Sequence, residues 1–259
     1  MITIYDNGAH IPLLWTHLIP ATLEGKALHN VQNAMFAAAM AYCGGVKLED
    51  IRHGLRTFDT TFFQAPGRMN VFDGHPFRVI LDYAHNPHAI EAMCDVVDQF
   101  TIPGRKIVVL AAPGDRRDED ITAIATNAAG HFDFYLCRRD DGLRGRGETE
   151  VPEMLRDALL GAGIAEDAIR IVPSEIDAVD AVLRMAESDD LILIFGDALT
   201  RTWNQITQFG ADPDRPTAEA DSQVIEAAEL PELPSDEVQL GGRVMRDERG
   251  VYLAPELND

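Results

Sequence analysis

Residues 78–93, RVILDYAHNPHAIEAM, decide how the chain folds. Val79, Ile80 and Leu81 make a short apolar run of the kind buried on both faces of a sheet. Asn86-Pro87 then reads as a helix start, because Asn caps free N–H groups and Pro suits the first turn. Asp82, Tyr83 and His85 are crowded into the joint. A strand that runs straight into a helix is the building unit of an α/β domain. The ordinary reading of the polar joint is a capped connection, and the functional reading is a joint that holds a ligand.

Working outward, the same unit recurs. RMNVF and FRVILD read as a hairpin around DGHP, and the helix after Asn86 extends to Phe100. KIVVLAA, FDFYLC, AIRIV and DLILIFG read as strands. They alternate with helices at EDITAIATNAAG, VPEMLRDALLGAG, EIDAVDAVLRMA and LTRTWNQITQF. This alternation predicts a mainly parallel sheet. Upstream, residues 2–5 and 11–15 read as strands joined by DNGA, followed by helices at HNVQNAMFAAAMAYCGG and LEDIRHGLRTF. Pro66-Gly67 breaks the helical pattern, which places a domain boundary near 58–66. After Gly210 the sequence becomes acidic and rich in proline. It reads as a partly flexible tail with a small hairpin at GGRVMRDERGVYLAP.

Composition narrows the function classes. A chain of 259 residues with 46% hydrophobic and 25% charged residues can bury a core. A formal net charge of −21 argues against non-specific binding to nucleic acid or to an anionic membrane. Cys43, Cys94 and Cys137 form no CxxC pair and read as reduced thiols of a cytoplasmic protein. No apolar run approaches a membrane span. The opening MITIYDNGAHIPLLW begins in strand-like sequence, so the chain is expected to enter a domain partway through.

Ligands of parallel α/β sheets sit at the carboxyl ends of the strands. The polar residues there are Asp82, His85 and Asn86; then Gly114, Asp115, Arg116, Arg117 and Asp118; then Arg138, Arg139, Asp140, Asp141, Arg144 and Arg146; then Gly196, Asp197, Thr200 and Arg201. Singly, each group is also a capped turn or a solvated loop. Together they predict one crevice carrying both signs of charge. There is no GxSxG elbow, no GxGxxG after a strand, no HExxH and no G-x-x-x-x-G-K-[ST] phosphate loop.

The ordered set HNxxN (within LHNVQNAMFAAAMA), APGR and LDYAHNPHAIEAM resembles the C-terminal part of the Mur ligase family, ATP-dependent amide-forming ligases. The likeness covers residues 20–205. It implies a Rossmann-like C-terminal domain at 61–210 with helices on both faces. A remnant of the family's central, ATP-binding domain would precede it at 1–60, and the acidic tail would occupy 211–259. The stretches TFDTTFFQAPGRMNVFD, GDRRDED and FGDALTRTW are similar to the branch that couples arginine to the β-carboxyl of an aspartate polymer. The loop RRDDGLRGRG departs from the DNPR pattern of the branches that add diaminopimelate or lysine.

The resemblance implies ATP with magnesium, an acyl phosphate, and attack by an amine. It places Asn30 and Asn33 at the adenine and Arg68 at the phosphates. Asp82 falls at the ribose or a phosphate-bound water, and His85 and Asn86 near the phosphates. Arg68 and His85 are the catalytic candidates, and no metal ligand is assigned. Arg116 and Arg139 become candidates for the incoming amino acid's α-carboxylate. Asp115, Asp118 and Asp140 become candidates for its cationic group. Because the family's phosphate loop has no counterpart here, the isolated chain is expected to be catalytically incomplete and to need a complementing N-terminal chain. Homo-oligomers are expected through an apolar face around residues 1–45. The alternative is a non-catalytic module that binds an amino acid or polymer.

Overall fold

The computed structural model describes residues 1–210, 243–247 and 250–254. The chain divides into two units, Met1–Ala211 and Asp212–Asp259. The first unit opens with an antiparallel hairpin of β1 (Ile2–Asp6) and β2 (Ala9–Leu14). Asn7 and Gly8 both have positive φ, as a two-residue hairpin turn requires, so β2 starts earlier than the alternation at 11–15 suggested. Helices α1 (Leu28–Cys43) and α2 (Leu48–Thr57) pack on this hairpin around Ile2, Leu13, Leu14, Ile19, Ala38 and Ile51. Met35, Phe36 and Met40 of α1 remain exposed.

The main body follows as β3 (Asn70–Phe72), β4 (Arg78–Asp82), α3 (Pro87–Asp98), β5 (Lys106–Leu110), α4 (Asp118–Ala128) and β6 (Phe134–Cys137). It continues as α5 (Glu150–Gly161), β7 (Ile169–Ile171), α6 (Glu175–Met185), β8 (Leu191–Phe195) and α7 (Leu199–Gln208). The strands form one six-stranded sheet in the order β3-β4-β8-β5-β6-β7. All neighbours are parallel except β3, which turns back antiparallel along β4. This is the mixed α/β architecture with a mainly parallel sheet that the alternating pattern predicted.

Near-continuous apolar strands are explained by the two helix layers. Side chains alternate across a strand, so each face needs its own cover. Ile80, Val108, Leu110, Tyr135, Leu193 and Phe195 face α3, α4 and α5. Val79, Leu81, Ile107, Val109, Leu136, Ile192 and Ile194 face α6 and α7. The last strand of this sheet in chain order, β8, slots between β4 and β5, which are paired with it by Leu81↔Ile194 and Val109↔Ile194. The loops after β4 and β5 lead to helices on one face, and the loop after β8 leads to a helix on the other. Crevices therefore open on both sides of the β8 carboxyl end, as at other topological switch points.

The opposite edge of the sheet is closed by a polar clasp. The Asp190 carboxylate accepts the Arg105 backbone N–H at 2.7 Å, the Arg105 guanidinium at 2.6 Å and the Glu187 N–H at 2.9 Å. It thereby joins the starts of β5 and β8. In the second unit, β9 (Arg243–Asp247) and β10 (Gly250–Ala254) pair antiparallel, which places a hairpin in the GGRVMRDERGVYLAP segment. The rest of the acidic tail lies outside the described residues.

Replacing Asp190 by alanine strands two backbone donors and removes a charged acceptor. The Asp190→Ala protein is expected to lose about 2 kcal/mol of stability. The loss should be readable as a lower urea midpoint with an unchanged slope.

Candidate functional site

The strand-to-helix joint after β4 is held from three sides. Asn86 Oδ1 accepts the Ala89 N–H at 3.0 Å, so Asn86 caps α3 with Pro87 in its first turn. Asp82 accepts the N–H of Met69 at 2.9 Å through one oxygen and that of Ala84 at 2.8 Å through the other. Burial pushes the Asp82 carboxyl up from its ordinary value, against these N–H groups and the Arg68 charge. Asp82 thus fastens the Pro66-Gly67-Arg68 loop to the end of β4, where the resemblance implied contact with a ribose or a water.

A second fastener was not singled out from the sequence. Asn70 is fully buried, accepts the Gly67 N–H at 2.6 Å and donates to the carbonyls of Thr60 and Ala65 at 2.8 and 2.9 Å. Gly67 has φ +69°, and a Cβ there would lie 2.6 Å from Leu199 Cδ1 and 3.1 Å from Tyr83 Cβ. Both the conformation and the space demand glycine. Arg68, next in sequence, stands over the Tyr83 ring at 5.9 Å.

These elements frame a hollow of about 430 Å³ between α1 and the joint. Asn30, Asn33, Arg68, Asp82, His85 and Asn86 all line it. Asn30 Nδ2 is committed to the Ala21 carbonyl at 2.8 Å, and its Oδ1 accepts from Asn33 at 3.2 Å. The structure therefore brings every sequence-derived nucleotide candidate to one surface.

A second hollow of about 230 Å³ opens at the carboxyl ends of β4, β5, β6 and β8, and Tyr83, Ala84 and His85 line both hollows. Of the amino-acid candidates, Asp115, Arg116 and Asp140 line it, joined by Arg138, Arg144 and Asp197. Asp118 and Arg139 do not. Arg146 holds Asp118 at 2.6 Å and also donates to the carbonyls of Gly114 and Arg116, binding the loops after β5 and β6 together. Arg139 Nη1 instead closes its own turn on the carbonyls of Asp140 and Asp141.

The inward arginine is Arg138, whose side chain is 1% exposed. Its direction was legible in the strand period. Leu136 faces α6 and α7, so the residue two further on points the same way. There it meets Glu175, the first residue of α6, whose side chain is wholly buried. Glu175 accepts the N–H groups of Asp197 and Ala198 at 2.7 and 3.2 Å, the Thr202 hydroxyl at 3.0 Å and Arg138 at 3.3 Å, and also pairs with Arg201. Burial by itself raises a carboxyl, but Arg138 and these donors outweigh it and hold Glu175 below the ordinary range. Behind a serine cap, Glu175 reads in sequence as an ordinary first-turn acid. Only the return of α6 beneath β8 buries it.

Asp140 is the opposite case. Burial, with the Asp197 charge beside it, pushes its carboxyl up to about 6, against Arg138 and Arg144. Among the described residues no group of three His, Cys, Asp or Glu side chains is placed to hold a metal ion, and no helix is long and apolar enough to cross a membrane.

Two opposite responses to pH follow. Glu175 contributes stability that is complete above its unfolded pKa of about 4.3 and lost as pH falls through its lower folded value. Glu175→Ala leaves Arg138 buried without its partner and is expected to cost about 3–5 kcal/mol in urea unfolding at pH 7, with Glu175→Gln milder. Asp140 weakens the fold as pH rises through about 6. Asp140→Asn is therefore expected to raise stability by about 1–3 kcal/mol at pH 8 and to change nothing at pH 3.

The chain is similar to several known proteins in sequence and fold. The glutamate ligase domain of the Mur ligase family matches residues 67–198. Cyanophycin synthetase of Crocosphaera subtropica is 35% identical over 217 residues, covering 80% of this chain and 24% of that protein. Cyanophycin synthetase of Trichormus variabilis is 36% identical over 211 residues, covering 76% and 23%. The chain thus spans about a quarter of the length of these relatives. Among solved structures, E. coli FolC in complex with DHPP and ADP superimposes with a TM-score of 0.53 at 26% identity, over 68% of this chain and 38% of that one. By the span of the match and the fold it shares, the chain belongs to the Mur ligase family, and its β3-to-β8 body matches the glutamate ligase domain.

Proposed function

We propose that residues 1–259 form the C-terminal portion of an ATP-dependent acid–amino acid ligase of the cyanophycin synthetase kind, coupling arginine to the β-carboxyl of aspartate in a polymer. Residues 1–60 belong in this reading to the central domain, 61–210 to the C-terminal domain, and 211–259 to an appended tail. The observation that carries the reading is the wall shared by the two hollows. Tyr83, Ala84 and His85 line both, so a nucleotide in one and an amino acid in the other would meet at the β4 joint.

ATP supplies the phosphoryl group that turns a carboxylate into an acyl phosphate, which an amine can attack. The residues of this chain bind and orient. Asn30 and Asn33 face the adenine end of the larger hollow, and Arg68 supplies a permanent positive charge at the phosphate end. The Asn86-capped start of α3 presents the positive end of its helix dipole, which favours an anion, although Pro87 lacks an N–H and those of Ala89 and Ile90 are taken by Asn86. His85 Nδ1 lies 2.9 Å from the Tyr83 carbonyl, which can only accept, so the neutral ring keeps its lone pair on Nε2. Asp82 and Asn70 hold Arg68 in place. Arg116, on the wall of the smaller hollow, suits an α-carboxylate. The described residues offer no metal cluster of their own. The sequence contains no G-x-x-x-x-G-K-[ST] phosphate loop, and this reading assigns no magnesium ligand to these residues.

Titration of the purified chain with magnesium-ATP, followed calorimetrically, is expected to show weak binding that Arg68→Ala abolishes. Arginine incorporation into an aspartate–arginine primer should be absent with the chain alone. It should appear when the N-terminal portion of a cyanophycin synthetase is added. Turnover by the chain alone would refute its incompleteness, and nucleotide binding indifferent to Arg68 would refute the assignment of the larger hollow.

A further inference from the structure

Three imidazoles converge on the larger hollow. Of the eight histidines in the chain, His29, His85 and His88 line it. They come from three elements: His29 is the second residue of α1, His85 lies in the joint after β4, and His88 is the second residue of α3. Among the described residues that line this hollow, Arg68 is the one permanent cation. A phosphate chain carries several negative charges, and a single guanidinium leaves part of them unmatched. Imidazole is the side chain that ordinarily changes charge between about pH 5 and 8. These rings supply further positive charge only by taking up protons.

Each ring is placed to accept one. His29 is half-buried, and burial holds its imidazole below the ordinary value, so the ring is neutral at pH 7. His85 Nδ1 lies 2.9 Å from the Tyr83 carbonyl, which leaves Nε2 as its open position. The His88 side chain is exposed at the rim, with Glu91 of the same helix 3.8 Å from Nδ1. The other charged and titratable groups lining the hollow are Arg68, from the loop before β3, and Asp82 and Tyr83, from the end of β4. Both Asp82 oxygens are already engaged by backbone N–H groups.

Resting on the nucleotide assignment above, we propose that His29, His85 and His88 make the larger hollow a proton-linked site for a phosphate chain. Protons enter with the anion and leave with it. The sign follows from the charges. A seated anion favours the protonated ring, so each imidazole holds its proton more tightly in the filled hollow than in the empty one. Affinity for the phosphate chain therefore rises as pH falls from 8 towards 6, by up to about tenfold per pH unit for each ring that takes up a proton. It levels off once the rings are already protonated in the empty hollow. His29 extends the range, because an anion beside it offsets the same burial that discharges it. Acidity thus sets how firmly the nucleotide is held.

Calorimetric titration of the full 259-residue chain with magnesium-ATP at pH 8, 7 and 6, in buffers of differing ionisation enthalpy, counts the protons taken up. The parent is expected to bind at least about tenfold more tightly at pH 6 than at pH 8, with net proton uptake at pH 7. His29→Gln, His85→Gln and His88→Gln should each lower the proton count, and the triple variant should bind with one affinity throughout. A urea midpoint close to that of the parent establishes that each variant is folded. His88→Gln, at an exposed position, is the variant whose effect no loss of folding would explain. An affinity that ignores pH in the parent overturns the linkage and leaves the nucleotide assignment standing. So does proton uptake that survives in His88→Gln and in the folded triple variant, which would belong to Asp82 or to the nucleotide itself. Failure of the folded parent to bind magnesium-ATP at any pH overturns both.

Discussion

The buried pair of Arg138 and Glu175 is the constraint on which the ligand end of this domain depends. A charge cannot remain in a sheet interior unless its partners surround it. Glu175 meets that condition by drawing in donors from the loop after β6, the turn after β8 and the first turns of α7. Three connections that leave the sheet in different directions are thereby referred to one carboxylate. The smaller hollow keeps its shape because its walls share this acceptor, and no large apolar contact is needed across a space that must stay open.

The larger hollow is organised by a different device. Asp82 and Asn70 are short side chains at the end and start of adjacent antiparallel strands, and both spend their hydrogen bonds on the backbone of the loop that presents Arg68. The loop follows a left-handed path through Gly67 and Met69, which is stable only because those bonds over-determine it. The Arg68 side chain donates to the Gly67 carbonyl at 3.1 Å and lies over the face of Tyr83. Rigid support of the loop beneath the Arg68 guanidinium suits the phosphate-binding role proposed for it.

Much of this was legible in the residues and some was not. The alternation of apolar strands with helices predicted the mainly parallel sheet, because complete burial between two helix layers leaves an unmistakable run such as LILIF. The polar joint at 82–86 and the loops at 114–118 and 138–146 were legible as strand-end features, since topology sends them to one edge. Which of two adjacent arginines points inward was readable only by carrying the period of β6 past its last hydrogen bond. Glu175 and Asn70 were not readable at all. Each looks like a local cap or a strand residue until distant segments close over it, and burial of that kind is a property of the fold rather than of any window of sequence. Asp118 and Arg139 illustrate the converse: residue type and placement suited a ligand, but Arg146 and nearby carbonyls reached them first.

The clasp of Asp190 on Arg105 and Glu187 sits at the far edge of the sheet from both hollows. Stability and recognition are therefore separated along the strand axis, with one end sealed by short-range polar bonds and the other kept open. That separation gives the domain a neutral handle. A fluorophore, an affinity tag or a surface linkage introduced beside the exposed Ser188–Asp189 turn would report on or immobilise the protein while its ligand-facing loops remained untouched.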